Sequence, residues 1–238
     1  NYNILGLVYL SQGKRAASEE QFRRALAINA RANNKVKMTS NYFNLALLYA
    51  EANNTDSMLM YLRKAEVLSR ETQNRSLLVM IENRLGDVYL EQGDLHKAME
   101  SYKSVLADTA QGIDWERSYA NTSLAACLLQ LGKPAEAVKH GEEGVALAKK
   151  LKTKWDIARG FGVLHEAYAQ LNKYDIAYRM LQEQKVYADS MLNEEKEREI
   201  NVLHLQQEKA ERLELQRQNE SEQHKNMVNR LIMAAVGL

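Results

Sequence analysis

The stretch LGDVYLEQGDLHKAMESY, residues 85–102, is one pass of a pattern that the chain writes five times, and this recurrence limits the fold more than any other feature. Leu5, Leu45, Leu85, Leu124 and Leu164 stand at spacings of 40, 40, 39 and 40 residues. The following position reads Gly6, Ala46, Gly86, Ala125 and His165, and three residues further stand Tyr9, Tyr49, Tyr89, Leu128 and Tyr168. A turn position reads Gly13, Asn53, Gly93, Gly132 and Asn172. The second half of each unit carries Ser18, Met58, Ala98, Ala137 and Ala177, then four residues on Phe22, Leu62, Tyr102, Gly141 and Leu181. Periodicity of this length implies a solenoid of helical hairpins, each burying its apolar face against its neighbours.

Each column has a physical role. A small residue before the tyrosine lets a second helix approach closely, and the tyrosine fills the space between helices. Gly or Asn near the turn tolerates the left-handed conformation that ends a helix. Pro134, the sole proline, sits where a second helix starts, the one helical position that welcomes it. With one Pro and 11 Gly the chain is poor in the residues of tight-turned strand folds, so it reads as all-α. The combined pattern over residues 1–184 resembles the tetratricopeptide repeat, in five units longer than the usual length by about six residues. The resemblance implies a right-handed α-α superhelix with one apolar spine. The extra residues, as in NARANNKVKMTS, should lengthen both helices and links. Gly141 and Gly144 imply either a looser helix or close approach by another segment, and His165 implies a splayed or adjusted final pair.

After Gln184 the pattern changes. Residues 185–230 are rich in Glu, Gln and Lys, hold no Gly or Pro, and predict one long helix. Val186, Tyr187, Met191 and Leu192 are placed to cap the solenoid; Ile200, Leu203, Ala210 and Leu213 form a heptad-like seam broken by Gln207, a candidate coiled coil. The alternative is a solvated helix. Residues 231–238 begin an apolar run too short to span a bilayer, which fits a truncated transmembrane segment or a helix end docked on a neighbour.

Nothing in the sequence carries catalysis. His96, His140, His165, His204 and His224 lack metal-motif partners, and no P-loop, GxGxxG or GxSxG is present. Cys127 lies among apolar neighbours and reads as a buried structural thiol; with one cysteine no intrachain disulfide can form. A net charge of +1 gives no basic footprint for nucleic acid. No cofactor or metal is expected.

What remains is surface. In the repeat family that the chain resembles, first helices line a concave groove where peptides lie. Projected onto this sequence, the groove positions are Asn83, Arg84, Asp87, Tyr119, Thr122, Arg159 and Glu166, with a blander face of Asn3, Leu7, Phe43 and Leu47 in the first two units. The long repeats followed by DSMLNEEKEREI and a charged helix resemble the sensor regions of bacterial membrane receptors. That resemblance implies an extracytoplasmic domain that binds a protein or peptide and signals through its tail, with membrane attachment just beyond Leu238 and pairing of two copies. A kinase or helix-turn-helix module would follow. The alternatives are a soluble cytoplasmic adaptor or scaffold and an intracellular peptide-responsive regulator.

Overall fold

A computed structural model describes residues 2–108 and 111–236, with side chains as far as residue 228. Every regular element among them is helical. The first hairpin is α1 (Tyr2–Ser11) with α2 (Arg15–Arg31), the second α3 (Lys35–Glu51) with α4 (Thr55–Glu71), and the third α5 (Arg75–Glu91) with α6 (Leu95–Ala107). The fourth is α7 (Asp114–Gln130) with α8 (Pro134–Leu151), and α9 (Lys154–Gln170) is followed by α10 (Tyr174–Val236). By contacts the chain divides into Asn1–Tyr187 and Ala188–Leu238. Helices consecutive in sequence pack on one another from α1 to α9, while α1 also touches α3 and α7 touches both α5 and α9. Odd-numbered helices therefore make the inner layer, even-numbered helices the outer one.

The junctions obey a hidden period of half a repeat. Left-handed residues close α1 to α5 and α7 to α9, namely Gly13, Asn33, Asn53, Gln73, Gly93, Gly132, Lys152 and Asn172, whereas α6 ends on an extended Asp108 and the left-handed Gly112 stands just before α7. At Asn53 the backbone makes both bonds of a Schellman stop, Asn53 N–H to Ala50 O at 3.0 Å and Asn54 N–H to Tyr49 O at 2.9 Å. The Asn54 side chain then accepts from Ser57 N–H and caps the next helix, as Asn34, Asn74 and Asp94 do at Lys37, Leu77 and Lys97. One residue thus ends one helix and starts the next. Except between α6 and α7, where residues 108–113 intervene, the links stay short and the extra length goes into the helices: α2, α3, α4, α5, α7 and α9 each have 17 residues. The sequence expectation of longer links is corrected accordingly.

Small and large residues pair across each hairpin. A Cβ on Gly6 would lie 2.5 Å from Phe22 Cε1, and one on Gly86 2.5 Å from Tyr102 Cε1. Ala46 faces the same columns as Leu62, a size smaller, and both are fully buried. In the fourth hairpin Gly141 is covered by Leu164 of the next repeat, 2.8 Å from where its Cβ would be, and Gly144 lies against Thr122. Close approach, not a looser helix, is the outcome at these glycines. The Ser118 hydroxyl donates to the Gly144 carbonyl at 2.8 Å, so polar groups occupy this interface. The core consequently runs as two buried clusters, one from Leu10 to Ala167 and one around Val145, Phe161 and Leu164, with Val138 packed against both. His165 is adjusted, its Nδ1 3.0 Å from the Ala177 carbonyl.

The tyrosine column does more than fill hairpins. Tyr49 OH donates to Glu19 at 2.7 Å, Arg63 donates to Tyr89 OH, and Tyr168 OH donates to Glu142 at 2.7 Å. Each tyrosine therefore rivets its hairpin to the outer helix of the preceding one. The hydrogen bond to Glu142, with burial as the larger cause, pushes the Tyr168 hydroxyl up to about 12.

α10 begins as the partner of α9, and Tyr187 stacks on Phe161 with centroids 6.1 Å apart. Val186 and Leu192, expected in the cap, are exposed. In the second unit the seam residues Ile200, Leu203 and Leu213 are exposed as well. No helix among the described residues is long and apolar enough to cross a membrane. The side chains of 231–238, and with them the truncated-span expectation, lie outside the described residues.

Candidate groove on the inner helices

The polar residues of the inner layer gather on α5, α7 and α9, because equivalent helix positions in successive repeats stack side by side. Asp87 on α5 is the hub. It accepts from Tyr102 OH at 2.8 Å and Tyr119 OH at 2.9 Å, and pairs with Arg84 at 3.2 Å. Burial first and then the Asp87 charge push the Tyr119 hydroxyl up to about 12, so it remains a donor throughout the ordinary pH range.

Tyr119 is approached from both flanking helices. The Arg84 guanidinium lies 5.8 Å from its ring centroid and that of Arg159 4.1 Å. Arg159 also lies 5.3 Å from the Trp155 ring, which is within 9° of parallel to Tyr119 at 6.5 Å. Arg159 lies beside this pair of rings, within cation–π reach of both. Arg159 is held there by bonds of 3.0 Å to Ser123 Oγ and 3.0 Å to the Tyr119 carbonyl. Arg84, Tyr119, Arg159 and Trp155 thus form one cluster of two guanidiniums and two rings on the inner layer.

Three buried polar atoms lack any hydrogen-bond partner among the described residues: Asn83 Oδ1, Asp156 Oδ1 and Arg159 Nε. Asn83 donates to the Glu116 carbonyl at 3.1 Å, and Asp156 accepts from Trp115 Nε1 at 3.0 Å, so both flank one turn of α7. Buried polar atoms are normally satisfied, so three exceptions in one layer set it apart from the rest of the described structure.

Of the groove positions read from the sequence, Arg84, Asp87, Tyr119 and Arg159 come together, and Asn83 lies buried beneath them on the Glu116 carbonyl. Thr122 does not: it is buried, bonded to the Ser118 carbonyl at 3.1 Å and pressed against Gly144. Glu166 is exposed on α9 and takes no part in the network. Sequence reasoning missed Trp115, Trp155 and Asp156, although Trp115 and Trp155 stand one repeat apart in a single column and are the only tryptophans in the chain. At the other end, Phe43 is buried and Asn3 is not bland. It accepts from the side-chain amides of Asn41 at 3.0 Å and Asn44 at 2.9 Å, beside a cleft of about 340 Å³.

No group of three or more metal-binding side chains occurs among the described residues. Cys127 is buried, and burial pushes its thiol up to about 11, the reverse of an activated nucleophile.

Family models described as tetratricopeptide repeat match residues 2–35, 39–71 and 77–150. No curated protein matches the chain at a significant level. Among solved structures, a kinesin-light-chain-type protein of Podosopora anserina with nearly identical TPR-like repeats is 19% identical, with a TM-score of 0.63 over 81% of this chain and 95% of that one. The apo form of RapI is 15% identical with a TM-score of 0.73, over 82% of this chain and 72% of that one. The apo quorum sensor NprR from B. thuringiensis is 15% identical with a TM-score of 0.68, over 79% of this chain and 53% of that one. At these identities the likeness is one of fold alone.

Proposed function

The chain belongs to the tetratricopeptide-repeat family and is a non-catalytic protein-binding domain, and on that premise we propose that it is the sensory region of a bacterial signalling protein, taking a peptide segment in the groove of α5, α7 and α9. The observation that carries the reading is the set of unpartnered buried atoms Asn83 Oδ1, Asp156 Oδ1 and Arg159 Nε beside the aromatic rings. Two acceptors and a donor match what an extended main chain offers. The likeness in fold to a quorum sensor is in keeping with it.

The output we propose is α10. Its first turns pack on Phe161 of α9, and the same helix runs on without a break to Val236. Repeats of this kind sum small rotations between neighbours, so a ligand that spreads α7 and α9 shifts the base of α10. In this reading the tail pairs two copies, the domain lies on the extracytoplasmic side of the inner membrane, and a kinase or DNA-binding module follows. A pool of randomised nonapeptides tests the groove: Arg84→Ala and Tyr119→Ala should each weaken its binding by about tenfold, the scale of one hot-spot contact. Glu166→Ala should leave it unchanged. Equal affinity for all three variants and the parent overturns the groove. For location, phosphatase fused to the native gene product after Leu238 should be active in cells; a fluorescent, phosphatase-silent fusion points to the cytoplasm instead.

A further inference from the structure

The second and third hairpins meet through buried charge. Glu66 on α4 and Glu82 on α5 both bond to the Arg70 guanidinium, Glu66 at 3.1 Å, and their side chains are only 13% and 6% exposed. Glu66 has a second cation in Arg63 at 2.6 Å, whereas among the described residues Glu82 has only Arg70. Arg63 also meets the Tyr89 hydroxyl and lies 5.5 Å from the centre of that ring. These groups line a cleft of about 310 Å³, which α6 completes with Lys97, Glu100, Ser101 and Ser104. Lys97 is paired with Asp94 at 2.6 Å, and Glu100 has no ion-pair partner among the described residues. On its other side α5 meets α7 through the Asn83 bond to the Glu116 carbonyl and the Tyr119 bond to Asp87. The matching contact between the first and second hairpins is neutral: Asn29 Nδ2 donates to Asn41 Oδ1 at 2.7 Å, across the same separation of 12 residues.

Two carboxylates from different hairpins thus share one guanidinium where little water reaches them. Burial first, and then the charge of Glu66, push the Glu82 carboxyl above the usual 4.5; Arg70, Arg63 and the Ser104 hydroxyl oppose this without cancelling it. Parting α4 from α5 hydrates Glu82 and returns its proton affinity to the ordinary one. Closure of this contact and uptake of a proton therefore favour each other. We propose that Glu66, Arg70 and Glu82 form a proton-sensitive joint: a proton on Glu82 removes the like charge that faces Glu66, leaves Arg70 to Glu66, and seats the third hairpin more firmly on the second. The joint is weakest where Glu82 is ionised and gains strength as pH falls toward 4.5. Rotations between neighbouring repeats add along an array, so a joint that responds to acidity sets the curvature of the whole solenoid.

Hydrogen exchange on the full chain, corrected for the intrinsic effect of pH on exchange, reads this joint. From about pH 7.5 to about pH 5 the protection of α5, residues 75–91, should rise about fivefold, while that of α9, residues 154–170, stays level. Glu82→Gln has no carboxyl to titrate and should abolish the rise. Arg70→Gln removes the cation that favours the ionised carboxylate, and should move the rise to higher pH, a displacement that loss of a contact alone does not cause. Level protection of α5 in the parent, an equal rise in α9, a rise that persists in Glu82→Gln, or one that stays at the parent's pH in Arg70→Gln each overturns the joint.

Discussion

Replacing Gly6 with alanine puts a methyl group 2.5 Å from the Phe22 ring, closer than any carbon pair can sit. Overpacking of this kind costs about 1–3 kcal/mol. Pairing Gly6→Ala with Phe22→Leu reproduces the Ala46 and Leu62 combination of the second hairpin, and should recover part of the loss. Urea unfolding of the two single variants and the double variant checks it; a double variant as destabilised as the sum of the singles would show that the columns are not matched in size. Glu82 tests a different residue-scale effect. Burial, then the charge of Glu66, raise its carboxyl above the usual 4.5, against Arg70 and Arg63. The folded state thus takes up this proton before the unfolded chain does, and the group adds stability as pH falls toward 4.5. Glu19, Asp94 and Asp114 are lowered and act oppositely, losing stability as pH falls through and below their ordinary values. As pH falls from about 7 toward 4.5 the parent should therefore gain stability relative to Glu82→Gln in urea titrations. A constant difference would mean that Glu82 titrates normally.

At the scale of the element, the junctions decide how well each helix is bounded. Gln73 adopts φ 54° and Lys152 φ 58°, where a side chain is strained and neither residue has the local bonding that eases Asn into that region. Gln73→Gly should raise stability by about 1 kcal/mol. Asn74→Ala, beside it, removes the cap on Leu77 N–H and should lower stability by about 1 kcal/mol. Opposite signs at adjacent positions in thermal unfolding are the expected readout, and the same sign at both would contradict the junction geometry. The hairpin turns were legible in the sequence because Gly and Asn announce a left-handed residue. Two of the turns between hairpins were not, because Gln73 and Lys152 occupy them without the Gly or Asn that marks Asn33 and Gly112, and so the half-repeat period stayed hidden. The groove was legible in the same limited way. Asn83, Arg84, Asp87, Tyr119 and Arg159 follow from helical projection alone. Thr122 was misplaced because Gly144 draws it under the next helix, and Trp155 was overlooked because its meaning lies in its contacts with Tyr119 and Arg159 on neighbouring positions of the fold.

For the whole molecule, the question is what α10 adds beyond the solenoid. Residues 192–228 are exposed throughout, so they contribute little burial to the unit that ends at Tyr187. Deleting residues 192–238 should then leave the thermal midpoint of the repeats essentially unchanged. A repeat array draws its stability from intrinsic hairpin terms and nearest-neighbour interfaces, and the deletion touches neither. Ile200, Leu203 and Leu213 nevertheless present 53%, 60% and 56% of their surface to solvent on a helix with no apolar partner in its own unit. If those side chains pair two copies, the full chain has twice the mass of one chain by light scattering, and the truncated form the mass of one, with the same unfolding midpoint at low concentration. Equal oligomeric state in both forms removes the tail as the pairing element. The signal would then have to leave the groove through a single helix.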